Sequence, residues 1–331
     1  MKNQLLFLLA LTVLFSSCRK DEEGVIEGPD LNDVYGPFEV VSSLEPSQSN
    51  VDYAAGEDVY FTCELSKVID WQLTITGQSS GAEKIINGTT KFLDFESATW
   101  DGSTTYFPMF KAEDCDVMLT FSGESDTLYT IVTIDQPKTN SGFVIADFET
   151  GWNPNWTTFI QSGAGMNFNI LTTPPAPQKT SYYNMEGTVN WDWLTGLVDF
   201  NASAYGSTTI PLSDNGDNLY FNVIVFGAPG VPNGEFNSRI LFRFDEDENE
   251  DGSFNANNED QWGFEQIIQW EGWKLITFKY SDLEGSGNGG NIHNPDKLNK
   301  VSVLHLADPS SGHAKSGIDY LIFTEDAPLQ P

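Results

Sequence analysis

The sequence predicts an all-β protein of two domains, a small N-terminal sandwich followed by a larger C-terminal jelly roll. Three observations carry that prediction. Apolar and polar residues alternate over short runs: Ile240, Phe242 and Phe244 would share one face, with Arg239, Leu241 and Arg243 on the other. The 29 Gly and 16 Pro divide these runs with turn-rich pieces. No strand–helix alternation and no internal repeat of about 20–50 residues occurs, which sets aside parallel α/β folds and solenoids.

A chain of 331 residues suits two domains, and 39% hydrophobic residues, with 23 Phe and 9 Trp, supply substantial cores. The 48 acids against 16 bases give a formal charge of −32. That charge repels phosphate backbones and excludes nucleic acid as a partner class. It also disfavours sulfated or uronate polymers.

The first residues read as an address. Lys2 precedes an apolar run from Leu5 to Phe15, too short for a stable membrane anchor, and Ser16-Ser17-Cys18 follows. This resembles a bacterial lipoprotein signal (residues 1–17), in which Cys18 is acylated because its thiol carries the lipid thioether. An ordinary secretory signal with an incidental Cys is the other reading. Arg19-Lys20-Asp21-Glu22-Glu23 resembles the charged tag of lipoproteins exported to the exterior of the outer membrane. No later apolar run reaches about 18 residues, so the expected membrane contact is the lipid anchor alone.

Residues 18–36 are acidic, contain Gly and Pro and have no apolar period, as in a flexible tether. Residues 37–138 read as one small sandwich with strands near 38–42, 58–64, 70–77, 90–95, 116–122 and 128–135. Trp71, in register with Leu73 and Ile75, is expected in its core, and Trp100, before Asp101-Gly102, is read as structural. Cys63 and Cys115 permit one disulfide in an exported protein.

Residues 139–142 form a short junction. The second domain, 143–326, is expected to carry strands near 144–149, 168–171, 197–200, 219–226, 239–244, 273–280, 301–306 and 318–323. Between two of them, six of the seven residues from Asp245 to Asp251 are acidic. Asp247, Asn249, Asp251 and Gly252 repeat the oxygen spacing of an EF-hand-type calcium loop. In that register the ligands are Asp247, Asn249, Asp251, the carbonyl of Ser253 and Asn255, and Gly252 takes the tight turn. Position twelve is Asn258 rather than Glu, with Glu259 and Asp260 next. A structural Ca²⁺ is expected there; the competing reading is a solvated acidic hairpin tip.

Sugar rings present apolar C–H faces that a flat indole covers at small entropic cost. Trp152 and Trp156 lie in the turn-rich Gly151-Trp152-Asn153-Pro154-Asn155-Trp156, a poor setting for core. Trp191 and Trp193, separated by Asp192, would share one face of an extended segment, about 6.6 Å apart. Trp262 directly follows the acidic loop. These five are the candidate glycan platforms, at least one of them expected to be structural; Trp270 and Trp273, flanking Gly272, are read as core.

Asp147-Phe148-Glu149, the Asp-rich loop, Glu271-Gly272-Trp273-Lys274, Ser281-Asp282-Leu283 and Gly317-Ile318-Asp319-Tyr320 resemble a galactose-binding-type jelly roll of carbohydrate-binding modules. With the lipoprotein signal and an immunoglobulin-like (PKD-like) spacer, the whole is similar to surface glycan-binding proteins of polysaccharide-utilisation systems like the starch-utilisation system. The resemblance implies a non-catalytic protein that binds polysaccharide or oligosaccharide beside an outer-membrane glycan transporter complex. It also implies a second calcium held by Glu149 and Asp319. A neutral glucan fits the charge, with a β-glucan such as laminarin as the specific expectation.

An enzyme and an adhesin are the competing classes. No Glu-x-Asp-x-x-Glu strand motif of jelly-roll endoglucanases occurs. His293, His305 and His313 have no metal-ligand spacing, and no Gly-x-Ser-x-Gly elbow is present. No catalytic residue is expected.

Overall fold

A computed structural model describes residues 36–188, 193–229, 238–285, 288–307 and 312–330. The acylation candidate Cys18 and the platform candidate Trp191 lie outside the described residues. No helix among the described residues is long and apolar enough to cross a membrane.

The chain is all-β. Its N-terminal strands are β1 (Glu45–Pro46), β2 (Asn50–Asp52), β3 (Val59–Gly77), β4 (Glu83–Leu93), β5 (Thr99–Trp100), β6 (Asp114–Phe121) and β7 (Thr127–Gln136). Through the shared strand β3 they form one seven-stranded system, with β2 parallel to β7 and the other pairs antiparallel. Its core contains Val59, Phe61, Trp71, Leu73, Ile75, Trp100, Val117 and Leu119. Both Trp71 and Trp100 are buried as expected.

Three expectations for this domain are corrected. The separate strands near 58–64 and 70–77 are one 19-residue strand, whose register with β4 shifts between Glu64 and Ile69. Residues 38–42 make no strand, only the isolated bridge Val40–Leu65. Cys63 and Cys115 are free and buried, not disulfide-bonded. Cys63 pairs with Leu93, while Cys115 pairs with Gly77, fourteen positions farther along β3. Even measured on β4, whose partners run from Leu93 opposite Cys63 to Glu83 opposite Thr76, about ten strand residues at about 3.3 Å each separate the two positions, against the about 7 Å between Cα atoms that a disulfide spans.

The C-terminal domain is a jelly roll of two antiparallel sheets. Its strands are β8 (Phe143–Ala146), β9 (Thr157–Ile160), β10 (Gly165–Leu171), β11 (Tyr182–Thr188), β12 (Leu194–Asn201), β13 (Leu219–Gly227), β14 (Ser238–Glu246), β15 (Gln261–Ile267), β16 (Gly272–Lys279), β17 (Glu284–Gly285), β18 (Leu298–Ala307) and β19 (His313–Glu325). One sheet runs β10-β11-β19-β13-β16 with β8 beside β19, and the other runs β17-β15-β14-β18-β12-β9. The inward faces follow the period-2 pattern: Phe221, Val223 and Val225 of one sheet meet Ile240, Phe242 and Phe244 of the other. Phe221 packs on Phe242 and Phe244 with ring centroids 5.6 and 5.2 Å apart.

The outer face of the first sheet meets the N-terminal domain. Met109 joins Ile224, Tyr320, Ile322 and Leu329 in a small apolar cluster, with Trp273 and Leu275 packed against it half-buried. Lys111 reaches across to donate from Nζ to the carbonyls of Ala176 and Lys179, at 2.6 and 2.5 Å.

Candidate functional site

The two sheets end side by side in the edge strands β9 and β10, and a groove opens between them. Gly196 on β12 makes the close approach possible: a Cβ there would lie 2.3 Å from the Phe168 ring. The groove encloses about 560 Å³ and is lined by Trp152, Ile160, Phe168, Ile170 and Tyr183, with Asn167, Asn169 and Thr158 supplying polar groups. Phe168 and Tyr183 stack at 5.8 Å with an interplanar angle of 10°, and Trp152 continues the aromatic row 5.6 Å from Tyr183.

The turn between β8 and β9 sets Trp152 on the rim. Gly151, at φ +83°, reverses the chain in the left-handed region that favours glycine, and the Asn153 side chain accepts the Asn155 N–H at 3.0 Å. Trp152 stays 40% exposed. Trp193 sits beyond the opposite end of β9, beside Gln161, Ser162 and Leu194, and is 63% exposed. Two exposed indoles therefore bracket an apolar strip with amide side chains along it.

Two other candidates are corrected. Trp156 is buried at 8% exposure in the domain core, its ring 5.0 Å from Phe200. Trp262 is buried at 4% and stacks on His293 at 3.7 Å. Trp262 offers no face to a polymer, while Trp156 lines the groove only with the little surface it leaves exposed. Trp270 and Trp273 are half-buried. Sequence reasoning missed Phe168, Tyr183, Asn167 and Asn169; the signal for all but Tyr183 was present in 165–171, where Met166, Phe168 and Ile170 alternate with Asn.

The acidic stretch is not a solvated hairpin tip throughout. Asp245, Glu246, Asp247, Glu259 and Asp260 are all buried, while Asn249, Asp251, Ser253 and Asn255 are exposed. The oxygens of Asp247 and Asn249 tie the loop to its own backbone. Asp247 accepts the N–H groups of Asp251 and Gly252 at 3.2 and 2.7 Å, and Asn249 accepts Asp251 N–H at 2.9 Å. Gly252 takes φ +88°, the tight turn expected of it. The returning acid is Glu259 rather than Asn258: it accepts Asn249 Nδ2 at 2.7 Å and Asn255 N–H at 2.5 Å. An all-oxygen donor set ending in a buried carboxylate fits a calcium ion.

Asp319 lies within electrostatic reach of Glu149 and Asp147. Glu149 accepts bonds from the Thr180 N–H, the Thr180 hydroxyl and the Ser181 N–H. Asp319 is fully buried, its Oδ2 takes no partner, and burial pushes its carboxyl up to about 8. An orphaned buried carboxylate fits a cation, and the Lys111 ammonium already brings one positive charge to the adjoining carbonyls.

No family model matches the chain, and no curated protein is similar to it in sequence. Among solved structures, the chain is similar to the xylan-binding domain CBM22-1 from Paenibacillus barcinonensis, at 12% identity over 58% of this chain and 99% of that one, TM-score 0.32. It is similar to the family 30 carbohydrate-binding module of a cellulosomal cellulase from Clostridium thermocellum, at 15% identity over 52% and 92%, TM-score 0.37. It is also similar to an exo-β-agarase, at 8% identity over 58% of this chain and 25% of that one, TM-score 0.38. With every one of these scores below 0.5, the functional reading rests on the groove itself.

Proposed function

We propose that this protein binds a neutral polysaccharide without cleaving it, in the groove between β9 and β10. The observation that carries the reading is Trp152, an exposed indole at the rim of a groove floored by Phe168 and Tyr183 and edged by Asn167 and Asn169. Indoles cover the C–H faces of sugar rings, and amides exchange hydrogen bonds with the hydroxyls around their edges. Covering about 150 Å² of apolar surface at about 25 cal/mol/Å² gives roughly 4 kcal/mol gross, much of it offset by ordering the glycan. A second platform at Trp193 lets a longer chain add to that.

The ligand fitting a chain of charge −32 is uncharged, and a β-glucan such as laminarin is the specific proposal. From the resemblance of Lys2 to Glu23 to a lipoprotein address, the proposal includes a protein on the exterior of the outer membrane, lipid-anchored through Cys18 and delivering glycan to a transporter complex. Calcium at Asp247, Asn249, Asp251, Ser253 and Asn255, joined by Glu259, would hold the β14–β15 loop, and a second ion at Glu149 and Asp319 would brace the domain junction.

Affinity electrophoresis against a panel of neutral and charged polysaccharides, with reducing ends assayed in parallel, tests the reading. Retardation by a neutral glucan without new reducing ends supports it. New reducing ends would instead identify an enzyme, and no retardation by any polymer would favour an adhesin.

A further inference from the structure

Away from the groove, three carboxylates turn toward one another at the base of the β14–β15 loop. Oxygens of Glu246, Glu248 and Asp260 all lie within 4.8 Å of each other. Glu246 and Asp260 are 0% and 1% exposed, and Glu248 is half-buried. Asp260 accepts three backbone donors, the N–H groups of Gly289, Asn291 and Ile292 at 2.7, 2.8 and 3.3 Å. Glu248 in turn accepts the Asp260 N–H at 3.0 and 3.3 Å through its two oxygens.

Glu246 differs from the other two. Its Oε1 accepts the Tyr280 hydroxyl at 2.9 Å and the Asn294 N–H at 2.8 Å, whereas its buried Oε2 makes no hydrogen bond within 3.5 Å and has only the equally unpaired indole N–H of Trp262 beside it. Among the described residues no Lys, Arg or His pairs with any of the three carboxylates. The bases of this hairpin are engaged elsewhere, Lys300 with Asp245 at 2.8 Å and Lys297 with Glu250. A fully buried carboxylate whose second oxygen has at most a neutral indole N–H beside it, gathered with two more carboxylates, lacks the counter-charge that buried ions require.

We propose that Glu246, Glu248 and Asp260 bind a divalent cation of the calcium class at a site separate from the 247–255 loop. The two sites face opposite ways. Asp247, between Glu246 and Glu248, directs its oxygens to the loop N–H groups of Asp251 and Gly252 and leaves this cluster to its neighbours. The donors here are all carboxylate oxygen, hard ligands without His or Cys, and the half-exposed Glu248 leaves room for water to complete a coordination shell of six to eight. The ion would tie the end of β14 to the residue preceding β15 and, through the N–H groups on Asp260, to residues 289–292.

The test counts calcium per chain after the full-length protein has been stripped with chelator and dialysed against millimolar calcium. Glu246→Gln and Glu248→Gln are each expected to bind one calcium fewer than the parent, whereas Asp251→Ala, a loop variant, retains this ion. Glu248→Gln alters a half-exposed side chain and keeps the test valid should Glu246→Gln fail to fold. Parent and both Gln variants binding equal calcium would overturn the proposal and leave Glu246 as a protonated core acid. Magnesium refilling the site as fully as calcium would overturn the assignment to the calcium class.

Discussion

Trp152 and Trp156 meet edge to face, ring centroids 5.4 Å apart at 88°, yet the first is 40% exposed and the second 8%. One turn thus supplies both a core residue and a platform. Trp156 anchors the turn against Phe148 and Phe200, and Trp152 leans on that anchor with its outer face free. A platform held this way loses little freedom when a sugar settles on it.

Separate variants should split these roles. Trp152→Ala is expected to weaken glycan binding on the order of tenfold, about 1.4 kcal/mol, with its melting temperature nearly unchanged. Trp156→Ala should cost about 3–5 kcal/mol of stability, as for other large-to-small core changes. Titration calorimetry and thermal melts check both; equal stability losses would contradict the division.

The cysteines should behave as two buried thiols. Burial pushes Cys63 up to about 11 and Cys115 higher still, so neither offers a reactive thiolate near neutral pH. Alkylation without reductant should leave both unmodified in the folded protein and label both once it is unfolded. Mass spectrometry reads the result, and absence of label on the unfolded chain would mean a disulfide.

His305 predicts a pH dependence. It is fully buried, its Nδ1 lies 2.9 Å from Ser316 Oγ on the opposite sheet, and burial lowers its pKa to about 4. The unfolded chain then binds the proton more tightly, so this contribution is complete above about pH 6.5 and is lost as the pH falls through about 4. Its size is about 3 kcal/mol. Between pH 7 and pH 4 the parent should lose more stability than His305→Gln, measured by urea unfolding; parallel profiles would contradict the assignment.

Lys111 should couple the domains. Its Nζ serves the Ala176 and Lys179 carbonyls across the interface, near the charges of Asp319 and Glu149. Lys111→Met leaves those carbonyls without their donor, at a cost on the order of 2 kcal/mol. Faster protease cleavage in the 139–142 junction is the expected readout, and an unchanged rate would contradict the coupling.

The sequence pattern placed β14 because it buries one alternating face, and β13 and β18 because they are apolar-rich runs of strand length, buried on both faces. It missed β11, where Tyr182 to Met185 are buried on both sides and no alternation survives, and β9, an edge strand with every residue exposed. The groove was only half legible: Trp152 stood out by its turn, but Phe168 and Tyr183 come together only when β10 and β11 pair and the edge of the other sheet folds over them. Trp262 shows the converse, since an indole beside an acidic loop looks accessible until Gly285, with no Cβ to block it, lets the ring lie flat in the core. Spacing singled out the 247–255 loop, whereas Glu259 depends on a turn at 255–259 that no linear register contains.

Titration of the parent and Trp152→Ala with laminarin oligosaccharides, followed by tryptophan fluorescence and calorimetry, tests the glycan groove most directly. A saturable spectral shift with micromolar-to-millimolar affinity in the parent, weakened on the order of tenfold by the substitution, is the predicted result. Failure of every neutral glycan tried to bind the folded parent, or binding equally tight in Trp152→Ala, would contradict it.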